Sequence, residues 1–288
     1  MHIYTPSTLT LNFAIRRTQT LTIMCSLTNT YLQELNSNPR DVLVEFDEPT
    51  HIYTIEGKQD YTSTTTWIHH HFSTFDSDKQ STDIMKGKKI HDPTYKYYGM
   101  TKHEIMELWR INGETASRAG TQVHYDIECF YNNNLKEESS DIDFKYFKEF
   151  ARDNAHLKPY RTEWCVFNEE WKICGSIDML YENPDGTLLI YDWKRVKELS
   201  YENTFDSRKS GITDCLKHVA DSNFWHYSLQ LNTYKALIES KYGKKVSGMY
   251  LVCLHPNNHN KSYEVIEIGD MSREVNDMIA LHKVNLGL

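Results

Sequence analysis

The sequence predicts an α/β (α+β) fold in which a central mixed β-sheet is flanked by helices. Three observations carry that expectation. Between Arg161 and Lys197, the runs TEWCVF, KICGSIDMLY and TLLIYDWK have strand length and strand composition, separated by Asn168-Glu169-Glu170 and by the turn-forming Asn183-Pro184-Asp185-Gly186. Helical spacing recurs before them, in residues 103–131 and 143–154, and after them, from about Phe224 to Tyr242. Two more strand-like runs, GMYLVCL and SYEVIEI, return to the sheet before a last helix from about Ser272.

In chain order, VLVEF and HIYTI form a short β unit that turns through Glu56-Gly57-Lys58. In Tyr61-Thr62-Ser63-Thr64-Thr65-Thr66-Trp67, Ser63 or a neighbouring threonine N-caps a helix running toward Phe72. The run His69-His70-His71 reads as a polar helix end, because contiguous helical residues point to different sides and cannot share a metal. Residues 76–100 are a loop or short-helix insertion with no chemistry assigned. HEIMELWRING predicts a helix stopped at Gly113, and a second helix begins near Ser117 and ends near Tyr131. After an acidic loop and the 143–154 helix, the three central strands form a β-meander, and the long helix that follows ends at Gly243.

Composition narrows the function. At 288 residues and 39% hydrophobic, the chain can bury one large core. The expected division is a leader at 1–40, poorly ordered or helical, and a domain at 41–288 with an N-terminal β/helix extension. The first 33 residues hold no Asp or Glu and carry Arg16-Arg17, a weak echo of an organelle transit peptide. An unstructured leader before a start near Met24 is the preferred reading. Net charge −8 excludes a whole-molecule basic field, so nucleic-acid binding has to be local. Lys194, Arg195, Lys197, Arg208 and Lys209 could supply it, with Trp193, Phe224, Trp225 and Tyr227 stacking bases. Six cysteines without a CxxC pair argue against a zinc ribbon or a disulfide scaffold and for a reducing compartment. No run approaches the roughly 20 apolar residues of a membrane span. The expectation is a soluble, intracellular, cytoplasmic protein, with a viral replication site or an organelle as alternatives.

The chemistry concentrates on the hairpin. A bend symmetric about Asp185 sets Asp178 opposite Asp192, and facing carboxylates are destabilising unless a cation lies between them. Mg²⁺ or Mn²⁺ suits oxygen ligands of this kind. Period 2 puts Lys194 on the face of Asp192, and Gly175 permits close approach of backbone or ligand. On the preceding helix His124 and Glu128 are one turn apart beside Thr121; on the long helix Gln230 and Tyr234 share the same spacing.

These motifs, in this order, resemble the RecB-like branch of the PD-(D/E)xK nuclease superfamily, with its λ-type and mitochondrial genome maintenance exonucleases and its large-DNA-virus members. The G-T-x-x-H helix is similar to Gly120, Thr121 and His124, and the G-x-x-D strand to Gly175 and Asp178. The D/E-x-K strand is similar to Asp192, Trp193 and Lys194, and the Q-x-x-x-Y helix to Gln230 and Tyr234. The likeness covers about residues 115–255, and the hydroxyl run at 61–67 extends it toward residue 42. The resemblance implies a restriction-endonuclease-like core and a metal-dependent DNA nuclease, an exonuclease of DNA processing, repair or recombination that acts on DNA with single-stranded ends. One or two Mg²⁺ or Mn²⁺ ions would be held by His124, Asp178, Asp192 and the Trp193 carbonyl, with Glu128 and Glu163 behind them. Lys194 would activate or orient water. Gln230, Tyr234, Ser63, Thr65, Thr66 and Thr121 would contact the DNA. Ile177 replaces the superfamily's proline, and only Cys253 lies past residue 215, so no Fe–S cluster is expected. Two alternatives remain at this point. One is a DNA-binding protein without catalysis on the same fold. The other is a non-haem iron oxygenase using His124 and Asp126, disfavoured because an HxD on a helix sends its side chains apart.

Overall fold

The structure is a computed structural model that describes residues 30–47, 50–135 and 139–287. Its centre is the expected meander. Strands β4 (Lys158–Asn168), β5 (Ile173–Glu182) and β6 (Leu188–Lys194) run antiparallel in sequence. Gly186 closes the β5–β6 bend with φ 82°, a left-handed value that suits glycine. Strand β7 (Val246–Cys253) joins β6 in parallel after the crossover helix, and β8 (Glu264–Glu267) pairs antiparallel with β7, so the sheet is mixed.

One topological detail shapes the site. Strand β4 occupies one edge of β5 along its whole length. The short strand β3 (Thr62–Ser63) and strand β6 therefore share the other edge: β3 pairs with Ile173 and Cys174, and β6 pairs only with Met179 through Glu182. Between them, Gly175–Asp178 has no strand partner on that side among the described residues, and the sheet forks there.

Helices cover both faces. On one face, α2 (Thr64–His69), α6 (Asn223–Lys241) and α7 (Ser272–Leu286) bury Trp67, Leu231, Leu237 and Met278 against Trp164, Ile177, Leu180 and Ile190. On the other, α4 (Lys102–Tyr131) and α5 (Ile142–Asp153) bury Val123, Ile127, Phe147 and Phe150 against Met179, Tyr181, Tyr191 and Trp193. The alternation Ile190 to one face and Tyr191 to the other is the period-2 pattern of a strand covered on both sides.

Helix α4 corrects the sequence reading, because its 30 residues run through Gly113 without a stop. A capping box between Thr101 and Glu104 starts it. Arg110 pairs with both Glu107 and Glu114, bracing the turn that contains the glycine. An interior glycine costs about 1 kcal/mol, too little to end a helix anchored at both ends. Residues 76–100 contain α3 (Ser77–Lys86) and a 3₁₀ turn at Lys88–His91, packed on the start of α4 through Ile90, Tyr97 and Ile105. His71 also departs from expectation. It is buried, with Nδ1 2.9 Å from Thr213 Oγ1 and its ring against the edge of Trp67.

Residues from Thr30 to Arg40, expected in the leader, dock on the body through α1 (Tyr31–Leu35). The Leu32 N–H donates to Asn132 Oδ1, and the Asn36 amide donates to the Tyr160 carbonyl. Just beyond, Asp41 accepts from Arg161 and from the Trp164 indole, each at 2.8 Å, in an ion pair almost wholly buried. The two-stranded unit β1 (Val44–Asp47) and β2 (Ile52–Ile55) follows. The rest of the expected leader lies outside the described residues. No helix among the described residues is long and apolar enough to cross a membrane.

Candidate metal centre and active site

Strands β5 and β6 have the register that a bend about Asp185 dictates: Met179 faces Tyr191 and Glu182 faces Leu188. The ladder stops one step short of Asp178 and Asp192. There the strands part, and the Trp193 N–H donates to Asp178 Oδ2 at 2.9 Å in place of a ladder bond. A backbone donor fixed on a carboxylate holds that side chain at the fork.

Glu163 enters from β4. It lies between the pairs Thr162–Met179 and Trp164–Ile177, opposite Asp178, and its φ of 43° is left-handed. This conformation is unfavourable for an L-residue with a side chain, and such strain gathers at functional positions. Ser176 Oγ donates to Glu163 Oε2 at 2.9 Å.

His124 comes from α4. Its Nε2 is 2.9 Å from the Trp193 carbonyl, and since a carbonyl only accepts, Nε2 carries the proton. Nδ1 then faces Asp178 Oδ2 at 3.6 Å and Glu163 Oε1 at 3.7 Å. One ligand atom each from His124, Glu163 and Asp178 lies within 4.8 Å of the others.

Asp192 and Lys194 stand beside this trio. They share a face of β6, as period 2 requires, with Nζ 2.6 Å from Oδ2. Nζ also lies 4.5 Å above the ring of Tyr227 on α6. Asp192 is 1% exposed, and its Oδ1 has no hydrogen-bond partner among the described residues. A buried carboxylate oxygen without a donor costs about 1–3 kcal/mol or more, a cost that a cation would remove.

The titration behaviour reports crowded negative charge. Burial first and Asp178 second push Asp192 up to about 6. Burial likewise raises Asp178, helped by Glu163. Burial would lower His124, yet Asp178 and Glu163 carry it up to about 9. Burial opposes the charge on Lys194 too, but Asp192 and Asp178 outweigh it and hold the ammonium above its ordinary value. Carboxylates pushed toward neutrality, an orphaned buried oxygen and an imidazole among oxygen donors fit a divalent cation of the Mg²⁺ or Mn²⁺ type.

Several expected residues stand elsewhere than foreseen. Glu163, expected behind the ligands, is grouped with His124 and Asp178, whereas Asp192 lies outside that trio and pairs with Lys194. The Trp193 carbonyl accepts from His124 in this arrangement. Glu128 is outside the trio. Tyr234, expected on DNA, is 3% exposed. A Cβ on Gly175 would lie 2.8 Å from its ring, so the glycine admits helix α6 rather than a ligand. The Tyr234 hydroxyl accepts from Gln230 Nε2 at 3.0 Å and orients that half-buried amide. Ser63 caps α2, while Thr65, Thr66 and, on α4, Thr121 are exposed. Asp126 accepts from Gln122 and is not part of the trio. Trp193 and Phe224 are buried and offer bases no face, and Arg195 and Arg208 are paired with Asp143 and Asp206. Sequence reasoning missed Tyr227 as the support of Lys194; its signal was the spacing Tyr227, Gln230, Tyr234 on one face of α6.

The chain matches the family described as the PD-(D/E)XK nuclease superfamily over residues 71–281. Among solved structures it is similar to a "Putative exonuclease" from Eubacterium rectale at 13% identity, covering 81% of this chain and 80% of that one, with a TM-score of 0.38. It is also similar to the protein named SSO0001 at 11% identity, covering 93% of this chain and 86% of that one, with a TM-score of 0.31. No curated protein matches the sequence.

Proposed function

Since the chain belongs to the PD-(D/E)XK nuclease superfamily, whose members use divalent metals, we propose that it is a Mg²⁺- or Mn²⁺-dependent DNA nuclease acting as an exonuclease on ends with single-stranded character. The observation that carries this reading is the fork in the sheet. There His124, Glu163 and Asp178 converge beside a buried Asp192 oxygen that has no partner and an ammonium held at 2.6 Å.

In this reading His124, Glu163, Asp178 and Asp192 hold the cation, which supplies Lewis-acid stabilisation of the phosphate and a water of lowered pKa. The Trp193 backbone fixes two of these groups at once, its N–H donating to Asp178 and its carbonyl accepting from His124. Lys194, kept protonated by Asp192 and Asp178, is a poor general base. Its role is to orient the attacking water and offset charge growing on the phosphoryl oxygens. Gln230, held by Tyr234, positions the strand near the scissile phosphate, and Ser63, Thr65, Thr66 and Thr121 contact its backbone.

The test is incubation of end-labelled single- and double-stranded DNA with the protein in Mg²⁺, Mn²⁺ or EDTA, followed by product analysis. Cleavage is expected in either metal and none in EDTA. Lys194→Ala and Asp178→Asn are expected to lose about 10²-fold or more in kcat while retaining the parent circular dichroism spectrum. A Lys194→Ala protein that cuts at the parent rate refutes the assignment of the site. DNA binding with no product in either metal would instead identify a binding protein.

A further inference from the structure

The lobe that carries the start of α4 has features that the catalytic reading does not use. Lys86, Lys88, Lys89 and Lys96 are exposed, and none has an ion-pair partner among the described residues. Across residues 86–96 these four lysines stand against a single acid, Asp92. A protein of net charge −8 thus carries a locally basic stretch here, with the Lys96 ammonium 4.6 Å from the centroid of the Tyr97 ring.

A partly exposed aromatic cluster adjoins this stretch through Tyr97, the residue after Lys96. Phe75, Trp109 and Phe205 come from three separate segments and stand 5.5 to 6.3 Å apart, centroid to centroid. Phe75 is 51% exposed and Phe205 47%. Trp109 is fixed by its indole N–H on the Tyr97 hydroxyl at 2.7 Å. Aromatic faces next to backbone-neutralising charge are the two elements of single-strand binding.

Helix α4 connects this cluster to the candidate centre. Residues Arg110 through Arg118 are exposed all the way round. At 3.6 residues per turn, Trp109, Gly113, Ala116, Gly120 and His124 fall within an arc of about 80°, so a face bare of large side chains links the tryptophan to the histidine. The 15 helical steps from Trp109 to His124 span about 22 Å at 1.5 Å each. A stacked strand advancing about 3.4 Å per nucleotide covers that distance in six or seven nucleotides.

We infer that this lobe is a second binding site for single-stranded DNA, in which Lys86, Lys88, Lys89 and Lys96 neutralise phosphates and the Phe75–Trp109–Phe205 cluster stacks unpaired bases six or seven nucleotides from the reacting phosphate. The inference rests on the nuclease reading and specifies its substrate: a strand long enough to lie along α4.

The test is fluorescence anisotropy with the full chain in EDTA, using labelled single strands of about four and about sixteen nucleotides over a range of salt. Lys86→Ala/Lys88→Ala/Lys89→Ala removes three phosphate contacts, and its salt slope on the longer strand is expected to be shallower by about 2. Between about 50 and about 200 mM salt the parent should therefore lose roughly twentyfold more affinity than the variant. The parent's preference for the longer strand should shrink in parallel. In a second arm, abasic residues at positions six to eight from the end should weaken binding to the parent and change little for Phe205→Ala. An unchanged slope and length preference in the triple variant, or equal sensitivity to abasic sites in both proteins, overturns the lobe. Failure of the parent to bind any strand would overturn the nuclease reading beneath it.

Discussion

Glu163 shows how a single residue is placed by strain. Its left-handed φ inside a strand is unfavourable by roughly 1–2 kcal/mol, and the return is a carboxylate brought level with Asp178. If it is a ligand, as proposed, Glu163→Gln should weaken Mn²⁺ binding at least about tenfold, reducing the metal-induced stabilisation by about 1.4 kcal/mol at saturating metal. Thermal unfolding with and without Mn²⁺ reads this directly, and an undiminished metal-induced shift in Tm would remove Glu163 from the ligand set. His71 makes a different prediction. Burial, with smaller effects from His282 and His70, depresses it to about 4, against about 6.5 in the unfolded chain. Between those values the unfolded state binds the extra proton, so His71 stabilises the fold above about pH 6.5 and loses that contribution as pH falls toward 4. The loss is on the order of 3 kcal/mol. Urea unfolding at neutral and mildly acid pH should show a steep decline in the parent and a flatter one in His71→Gln. Equal slopes would mean that this imidazole does not drive the acid sensitivity.

Among the elements, α4 carries the most contrast between sequence and structure. Gly113 reads as a stop because glycine is the commonest helix terminator, yet it is at mid-helix with nothing within 4 Å of the place a Cβ would occupy. Gly113→Ala should therefore raise stability by about 0.5–1 kcal/mol, through backbone entropy alone. A fall in Tm would imply that the glycine serves a bend or contact that the helix does not display. The hairpin was far more legible. Asn-Pro-Asp-Gly sets the bend, the bend sets the register, and the register brings Asp178 and Asp192 to the same level. Alternation then places Lys194 with Asp192. The contribution of β4 was foreseen only as Glu163 standing behind the ligands, since Glu163 reaches the trio through one left-handed residue that no periodicity announces. Tyr234 fits the same pattern: the spacing of Gln230 and Tyr234 marks their shared face, but the absence of a side chain at Gly175 decides that the phenol packs inward.

For the whole molecule, alternation and helical spacing were enough to give a mixed sheet with helices on both sides. They could not say that residues from Thr30 to Arg40 belong to the body. That depends on partners far along the chain, such as Asn132 and Tyr160, which local pattern does not contain. The fork has the same non-local origin, and it bears on the order of assembly. Strands β4, β5 and β6 meet across short turns and have low loop-closure entropy to overcome. The pairing of β3 with β5 joins residue 62 to residue 173 and has to wait for more than a hundred residues of intervening chain. The meander should therefore consolidate first and the forked edge last, so the geometry around Asp178 matures only as folding ends. Pulsed hydrogen exchange during refolding would see the Thr62 amide, bonded to the Lys172 carbonyl at 2.8 Å, gain protection after the amides of the β5–β6 ladder. The arrangement best suited to chemistry would then be the last part of this chain to acquire its native form.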